Sequence, residues 1–108
     1  MSKTITRQLL QARLAASAPV LLEALPAKYY DQGHLPGALH FPHDEARARA
    51  GDLVPDKTAE IVVYCASDTC QNSHIAAATL TALGYTNVSV YAAGKKDWVE
   101  AALPLQNG

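Results

Sequence analysis

The sequence of 108 residues lacks any apolar run close to the roughly 20 residues that a helix needs to cross a bilayer. It also lacks a basic stripe and an acidic block, and its formal net charge is only −1. These absences argue against nucleic-acid and membrane partners. The amino-terminal stretch MSKTITRQLLQARLAAS has no apolar core of the kind that a secretory signal contains. We therefore expect a cytoplasmic protein.

Cysteine is scarce as well, since the chain has only Cys65 and Cys70, which lie together in one short polar loop. A chain of this length can bury a core and does not need disulfides to fold. Thiols stay reduced in the cytoplasm, so the pair is better explained by thiol chemistry or by chance than by a structural disulfide. The length suits one domain over residues 1–108, and we find no internal repeat, low-complexity tract or linker.

Strand and helix patterns alternate along the chain. The amino-terminal stretch predicts an amphipathic helix with one apolar side, formed by Ile5, Leu9, Leu10 and Leu14. The predicted strands or extended segments are 19–23, 38–41, 61–64 and 88–91, and the helices that follow them are 27–32, 43–50 with Gly51 as its stop, 73–83 and about 96–102. This alternation is typical of an α/β fold, with a parallel sheet and helices on both faces. Ligands of such sheets bind beyond the carboxyl ends of the strands, where Cys65 stands.

The loop that follows Tyr64 can form an anion site around Cys65. Backbone N–H groups at the start of a helix have no helical partner, and a curled loop points such groups at one centre. A site of this kind lowers the pKa of a thiol, and the thiolate is a nucleophile. Cys65 is therefore the candidate nucleophile, although its position alone is also open to the interpretation that it is a small buried residue at a strand end.

Three other interpretations of the two cysteines can be weighed from spacing. Cys70 is a candidate second thiol that resolves an oxidised or persulfidated Cys65, or it is incidental. Together with His74 the cysteines form C-x4-C-x3-H, but zinc sites usually have a fourth ligand and a tighter first pair, so we expect no metal. Cysteine phosphatases carry Cys-x5-Arg, whereas Gln71 and Ala76 occupy the two possible arginine positions here, so we expect no phosphatase activity.

Four segments together resemble the rhodanese family of single-domain sulfurtransferases. GHLPGA at 33–38 resembles the family's Gly-His-x-Pro-Gly-Ala turn, and IVVYC at 61–65 resembles its central strand and active cysteine. SHIAAATLTALGY at 73–85 resembles the helix after the loop, and VSVYAAGKKDWVEAALPL at 88–105 resembles the closing strand, glycine turn and tryptophan helix. The order and spacing of the four segments carry this resemblance over nearly the whole chain.

The resemblance implies a rhodanese-like three-layer fold and a persulfide mechanism without a metal or an organic cofactor. Cys65 would take sulfur from a small donor and pass it to a thiol acceptor or to cyanide, and the acceptor or donor could be a persulfidated or thioredoxin-like protein. The N–H groups of the loop would stabilise the thiolate and the persulfide. The loop residues are Ala66, Ser67, Asp68, Thr69, Cys70 and Gln71. We expect a monomer or a weak dimer.

The sequence departs from the family pattern near the expected site. Residues 23–25 read Glu-Ala-Leu where the family commonly has Asp-x-Arg, and the longer loop CASDTCQ lacks glycine and arginine and carries Asp68. An acidic loop opposes the approach of thiosulfate, a dianion, so we expect persulfides or polysulfides to be better donors. Lys95 and Lys96 follow the last strand at the same sheet edge, where they either attract the substrate or are ordinary solvated lysines. Ala93 occupies the position of a common second glycine.

Two other functions remain open on the sequence alone. A rhodanese-fold binding or regulatory module with negligible turnover is favoured by the departures in the loop and at residues 23–25, and the intact Cys65 argues against it. A thiol redox sensor would instead join Cys65 and Cys70 in a disulfide or polysulfide bridge.

Overall fold

The structure is a computed structural model that describes residues 3–16 and 18–107. The predicted single domain and the predicted amino-terminal helix also include residues outside this described part, namely Met1, Ser2, Ser17 and Gly108.

The described chain forms a five-stranded sheet with helices between the strands. The strands are β1 Lys3–Thr4, β2 Val20–Glu23, β3 Leu39–His40, β4 Ile61–Tyr64 and β5 Val88–Tyr91. The helices are α1 Arg7–Ala16, α2 Ala27–Gln32, α3 Ala46–Leu53 with a 3-10 turn His43–Glu45 before it, α4 Asn72–Ala82 and α5 Gly94–Glu100. The strand order is β1-β5-β4-β2-β3, and every neighbouring pair is parallel. The predicted α/β fold with a parallel sheet is confirmed.

Strand β4 lies at the centre of the sheet, between β5 and β2, and both of its faces are covered by helices. Successive side chains of a strand point to opposite faces. Ile61 and Val63 pack in a cluster with side chains of α3 and α4, whereas Val62 and Tyr64 pack in a second cluster with side chains of α1 and α5. The apolar run without alternation therefore indicates a strand that is buried on both sides.

Helix α3 passes through the glycine that was predicted to stop it. The helix continues to Leu53, so the expected end at Gly51 is wrong. A glycine inside a helix costs only about 1 kcal/mol relative to alanine, which tertiary packing offsets. The helix ends instead at Leu53, where Val54 precedes Pro55 and the residue before a proline avoids helical backbone angles.

The two ends of the described chain also differ from the predicted elements. Lys3–Thr4 forms an edge strand on β5, and the N–H of Ile5 donates to the carbonyl of Val90 at 2.9 Å. Helix α1 therefore begins only at Arg7, and Leu9, expected on its apolar side, is 46 % exposed. The last helix begins at Gly94 rather than near residue 96. Within the described residues, no helix is both long and apolar enough to cross a membrane.

Candidate active site

Cys65 follows β4 directly, at the carboxyl edge of the sheet, and it is 1 % exposed. The N–H groups of Lys95 and Lys96 donate to the carbonyls of Cys65 and Ala66 at 2.9 and 2.8 Å. These donors belong to the first turn of α5, where N–H groups have no partner inside the helix. The start of α5 therefore fixes the backbone of the cysteine loop.

Gly94 makes this close contact possible. Its φ of +74° lies in the left-handed region, and a Cβ there would stand 2.8 Å from both the Cys65 carbonyl oxygen and the Ser67 nitrogen. Only glycine fits both the angle and the space. The neighbouring Ala93 has a φ of −67°, which any residue adopts, so a second glycine is not needed at this position.

Cys65 and Cys70 are joined by a disulfide, with their Cα atoms 6.3 Å apart. The sequence favoured thiol chemistry or chance over a structural disulfide and left a redox bridge between these two cysteines open, and the structure contains the bridge. The physical reason lies in the longer loop, which folds back through a turn in which the Cys70 N–H donates to the Ser67 carbonyl at 3.1 Å. Cys70 is half-buried while Cys65 is fully buried, so Cys70 is the sulfur that faces solvent.

One hydroxyl lies beside the Cys65 sulfur, and the loop that follows Cys65 carries several amides without a partner. Ser73 Oγ in α4 lies 3.4 Å from Cys65 Sγ, and it is the donor because a disulfide sulfur carries no proton. Among the hydrogen bonds of residues 3–16 and 18–107, none uses the N–H of Ser67, Asp68 or Thr69. These amides, unlike that of Cys70, are available to an anion in this state.

The remaining two residues of the predicted loop site lie at its two ends. Ala66 is exposed, and its carbonyl is the acceptor for α5 described above. Gln71 is exposed at the residue before α4, and its carbonyl accepts the N–H of Ile75 at 3.0 Å. Both residues connect the loop to helices through their carbonyls, and their N–H groups, like those of residues 67–69, donate to no group among the described residues.

A buried polar cluster lies on the strands beside the cysteine. Glu23, at the end of β2, is 0 % exposed, and its Oε1 accepts the Tyr64 hydroxyl at 2.7 Å and lies 3.0 Å from Lys95 Nζ. The Tyr64 oxygen in turn accepts the Leu35 N–H at 3.0 Å. Burial, with the nearby Glu23 charge, raises the pKa of Tyr64 far above its usual range, so Tyr64 stays protonated and donates. The other oxygen of Glu23 has no hydrogen-bond partner among the described residues.

Lys95 is thereby the cation that pairs with Glu23 in place of the missing arginine of the family pattern. Its side chain is 15 % exposed, and its ammonium group also donates to the Tyr29 carbonyl at 3.1 Å. The two residues stand far apart in the sequence, so spacing did not reveal the pair. The available signal was chemical, since an acid at the end of a buried strand needs a cation and Lys95 follows a strand at the same edge. With its charge paired, Lys95 is less suited than Lys96 to attract a substrate.

Lys96 stands in an acidic surrounding next to the loop. A small cavity of about 150 Å³ is lined by Asp68, Ala93, Lys96, Asp97 and Glu100. The hydrogen bond from the Tyr91 hydroxyl at 2.6 Å, together with Arg7 at 2.8 Å, lowers the pKa of Asp97 and keeps it ionised. The cavity therefore has one lysine and three carboxylates in its lining, so the charges of its lining residues sum to a negative value.

Comparisons with known proteins give the family and the fold of the chain. The family model described as "Rhodanese-like domain" matches residues 6–101. The thiosulfate sulfurtransferase PspE of Escherichia coli is 34 % identical over 105 residues, which cover 93 % of this chain and 95 % of PspE. The solution structure of the rhodanese-like domain of the Alr3790 protein from Anabaena superposes with a TM-score of 0.86 and 27 % identity, over 100 % of this chain and 81 % of that one.

A second curated relative is a longer protein. The HTH-type transcriptional regulator Rv0324 of Mycobacterium tuberculosis is 32 % identical over 104 residues, which cover 96 % of this chain. The chain spans only 45 % of the length of that regulator. Similar domains thus occur both as nearly the whole of a named enzyme and as part of a named regulator.

Proposed function

Since the chain belongs to the rhodanese-like domain family, we propose that it is a sulfurtransferase that carries sulfane sulfur as a persulfide on Cys65. One observation carries the proposal: a fully buried cysteine directly follows the central strand and precedes a loop with five unpaired amides and the start of α4. Nucleophilic thiols need such a setting, because N–H groups and a helix start favour the negatively charged sulfur. The likeness to a thiosulfate sulfurtransferase supports the same chemistry.

The cycle starts from the reduced loop. A thiol reductant opens the disulfide between Cys65 and Cys70, and Cys65 is freed as a thiolate. The thiolate attacks the outer sulfur of the donor, a new S–S bond forms on Cys65, and the rest of the donor leaves, as sulfite in the case of thiosulfate. An acceptor thiolate then attacks the outer sulfur of the persulfide, takes it, and restores the Cys65 thiolate. The electrons balance in each step without a metal or organic cofactor.

The loop and α4 stabilise the charge that these steps place on sulfur. The free N–H groups of residues 67–69 are the donors for the outer, charged sulfur of the persulfide. The Ser73 hydroxyl, 3.4 Å from Cys65 Sγ, donates to the inner sulfur whenever that sulfur carries the charge. A preformed set of donors acts as an oxyanion hole does for oxygen.

Charge around the loop sets the order of donors. Asp68 and Glu100 oppose the approach of the thiosulfate dianion, and Lys96 offsets only part of their field, while the charge of Asp97 is paired with Arg7. Persulfides and polysulfides, including a persulfidated or thioredoxin-like protein, are therefore the preferred donors and acceptors. We place the cycle in the cytoplasm, where thiols that reduce the disulfide are abundant.

The disulfide itself favours a second candidate function, a thiol redox sensor. Such a sensor would close Cys65 and Cys70 with an oxidant and open them with a thiol, without any sulfur transfer. It predicts that peroxide oxidises the pair and that sulfur donors leave no extra sulfur on either residue.

Intact mass spectrometry of the reduced protein tests both candidates. Wild type, Cys65→Ser and Cys70→Ser are exposed for a short time to thiosulfate or to glutathione persulfide and then quenched by alkylation. We expect a lasting gain of one sulfur atom in Cys70→Ser, a transient gain in wild type that only a fast quench captures, and none in Cys65→Ser, with glutathione persulfide reacting faster. No sulfur gain in any variant with either donor would overturn the sulfurtransferase and leave the sensor.

A further inference from the structure

We infer that Cys70 gives the protein a second activity, the release of the sulfur carried by Cys65 as hydrosulfide. The thiolate of Cys70 attacks Cys65 Sγ, the S–S bond of the persulfide breaks, hydrosulfide leaves, and the Cys65–Cys70 disulfide of the structure forms. The inference rests on the proposed persulfide of Cys65 and names what happens to it when no acceptor arrives.

The geometry decides which sulfur atom Cys70 attacks. A persulfide has an inner sulfur, Sγ of Cys65, and an outer sulfur. Attack on the outer sulfur transfers it, whereas attack on the inner sulfur displaces it as hydrosulfide. Cys70 is bonded to the inner sulfur here, and the Cα separation of 6.3 Å lies within the usual range for disulfides, about 4.4–6.8 Å. The folded-back loop thus brings Cys70 to the inner sulfur with β4 and α4 in place.

Burial gives Cys70 an advantage over any thiol from solvent. Cys65 is 1 % exposed, with Ser73 of α4 against its sulfur and the start of α5 against its backbone. A solvent thiol therefore meets the outer sulfur first, and its reaction is transfer. A thiol carried by the loop itself reaches the inner sulfur, and its attack gains the rate advantage of an intramolecular reaction.

A dithiol reductant supplies the two electrons that return the protein to its reduced state after each release of hydrosulfide. In the release step the two thiols of the protein are oxidised to the disulfide, and the sulfane sulfur is reduced by two electrons to hydrosulfide. The next cycle needs a dithiol reductant, one sulfur of which attacks the half-buried Cys70 Sγ and frees Cys65 as thiolate. The second thiol of the reductant then displaces Cys70, and the reductant leaves as its own disulfide.

The test separates transfer from release by measuring two products in the absence of any other thiol. The reduced, desalted protein is mixed with excess thiosulfate, and sulfite and sulfide are measured over time. In wild type we expect one sulfite and one sulfide per chain, followed by a stop, with the protein recovered as the disulfide. In Cys70→Ser we expect the same sulfite, a stable persulfide, and sulfide release slower by about tenfold or more.

A variant with the thiol moved by one residue is the matched control. Thr69→Cys combined with Cys70→Ser keeps a thiol in the loop but places it at an exposed position of the turn. We expect sulfide release as slow as in Cys70→Ser. Sulfite without sulfide in wild type, or equal sulfide release by wild type and the shifted variant, would overturn the role of Cys70 while leaving the persulfide in place. Absence of sulfite in all variants, together with no sulfur gain from glutathione persulfide in any of them, would overturn the proposed function, and this inference with it.

Discussion

The inner side of the cysteine loop contacts buried side chains that are paired with one another, whereas its outer side is exposed and carries unpaired charges and amides. The loop floor consists of Glu23, Tyr64, Gly94 and Lys95, which are connected to one another or to the Cys65 carbonyl. The loop rim consists of Asp68, Thr69 and Lys96, all exposed. The floor uses burial and charge pairing to fix the backbone, and the rim presents charge and free amides to solvent.

This difference separates what holds the cysteine from what meets the substrate. A change in the floor removes a buried contact, so it should lower the free energy of unfolding and disturb the sulfur site together. A change in the rim alters a charge that water and salt screen, so it should change rates with little effect on stability. The predictions below test whether the two sides separate in this way.

The largest effect is expected from Lys95→Met in the floor. The substitution leaves the carboxylate of Glu23, 0 % exposed, without its cation, and breaking a buried ion pair costs about 3–5 kcal/mol of unfolding free energy. Glu23→Gln should cost less, about 2 kcal/mol, because the side chain of Lys95 is 15 % exposed and can turn to water. Denaturant titration of each variant measures these costs.

The double variant Glu23→Gln with Lys95→Met is the control for this pair. If the charges depend on each other, its cost should be clearly smaller than the sum of the two single costs, since neither unpaired charge remains. Costs that simply add would show that the pair is not the feature that stabilises the floor, and the comparison of floor and rim would lose its main support.

Gly94→Ala should have the next largest effect. The new Cβ would stand 2.8 Å from the Cys65 carbonyl oxygen, and the φ of +74° disfavours alanine, so we expect a cost of about 2–4 kcal/mol. Because the atoms that must move belong to the cysteine loop, persulfide formation should slow as well. Gly51→Ala is the matched control: no atom lies within 4 Å of its Cβ position, and helix α3 should become more stable. Unchanged persulfide formation in Gly94→Ala would argue against the floor as the support of the site.

The sequence predicted the parts of the fold that depend on local pattern. The strands Ile61–Tyr64 and Val88–Tyr91 have the predicted bounds, and the helix after the loop differs by one residue at each end. Apolar runs determine the two strands locally, and Gly84, whose φ of +101° lies in the left-handed region just after α4, ends the helix. The edge strand Lys3–Thr4 could not be predicted in this way, because it exists only through its pairing with β5.

In the candidate site, too, local features were predictable from the sequence and contacts between distant residues were not. Cys65 was identified from its place after a buried strand, which is a local property. The disulfide depends on how a longer loop folds back, and the pair of Glu23 with Lys95 joins two elements that are distant in sequence. Sequence spacing carries no information on such contacts, so these features needed the structure.

Smaller effects are expected from the charges of the rim. Asp68→Asn should raise the rate of persulfide formation with thiosulfate about threefold at low salt, and Lys96→Gln should lower it by a similar factor. Each factor should shrink toward one in high salt, because solvent screens exposed charges. Stopped-flow measurement of sulfite release gives the rates, and denaturation should show little change in stability. A loss of stability in Asp68→Asn comparable to that of Lys95→Met would break the distinction between rim and floor.

Asp97 stands where the two sides meet, and its contribution to stability depends on pH. Its carboxylate faces the acidic cavity, yet it accepts the hydroxyl of the buried Tyr91 and pairs with Arg7, and these bonds lower its pKa. A lowered pKa means that the contribution to stability is present above the usual carboxyl pKa of about 3.9 and is lost as the pH falls through the folded value. The stability difference between wild type and Asp97→Asn, about 1 kcal/mol at neutral pH, should therefore shrink in acid.

The cause of this shift can be resolved by titrating Asp97 with NMR in two variants. Tyr91→Phe and Arg7→Gln should each raise the pKa of Asp97, because the tyrosine hydrogen bond is the largest single cause of the lowered pKa and Arg7 lowers it through both a hydrogen bond and its charge. A larger rise in Tyr91→Phe would place Asp97 with the buried groups of the floor, since its ionisation is then set by a buried hydroxyl. The opposite order would place it with the rim, because a half-buried surface arginine would then control its charge, and added salt should weaken that control.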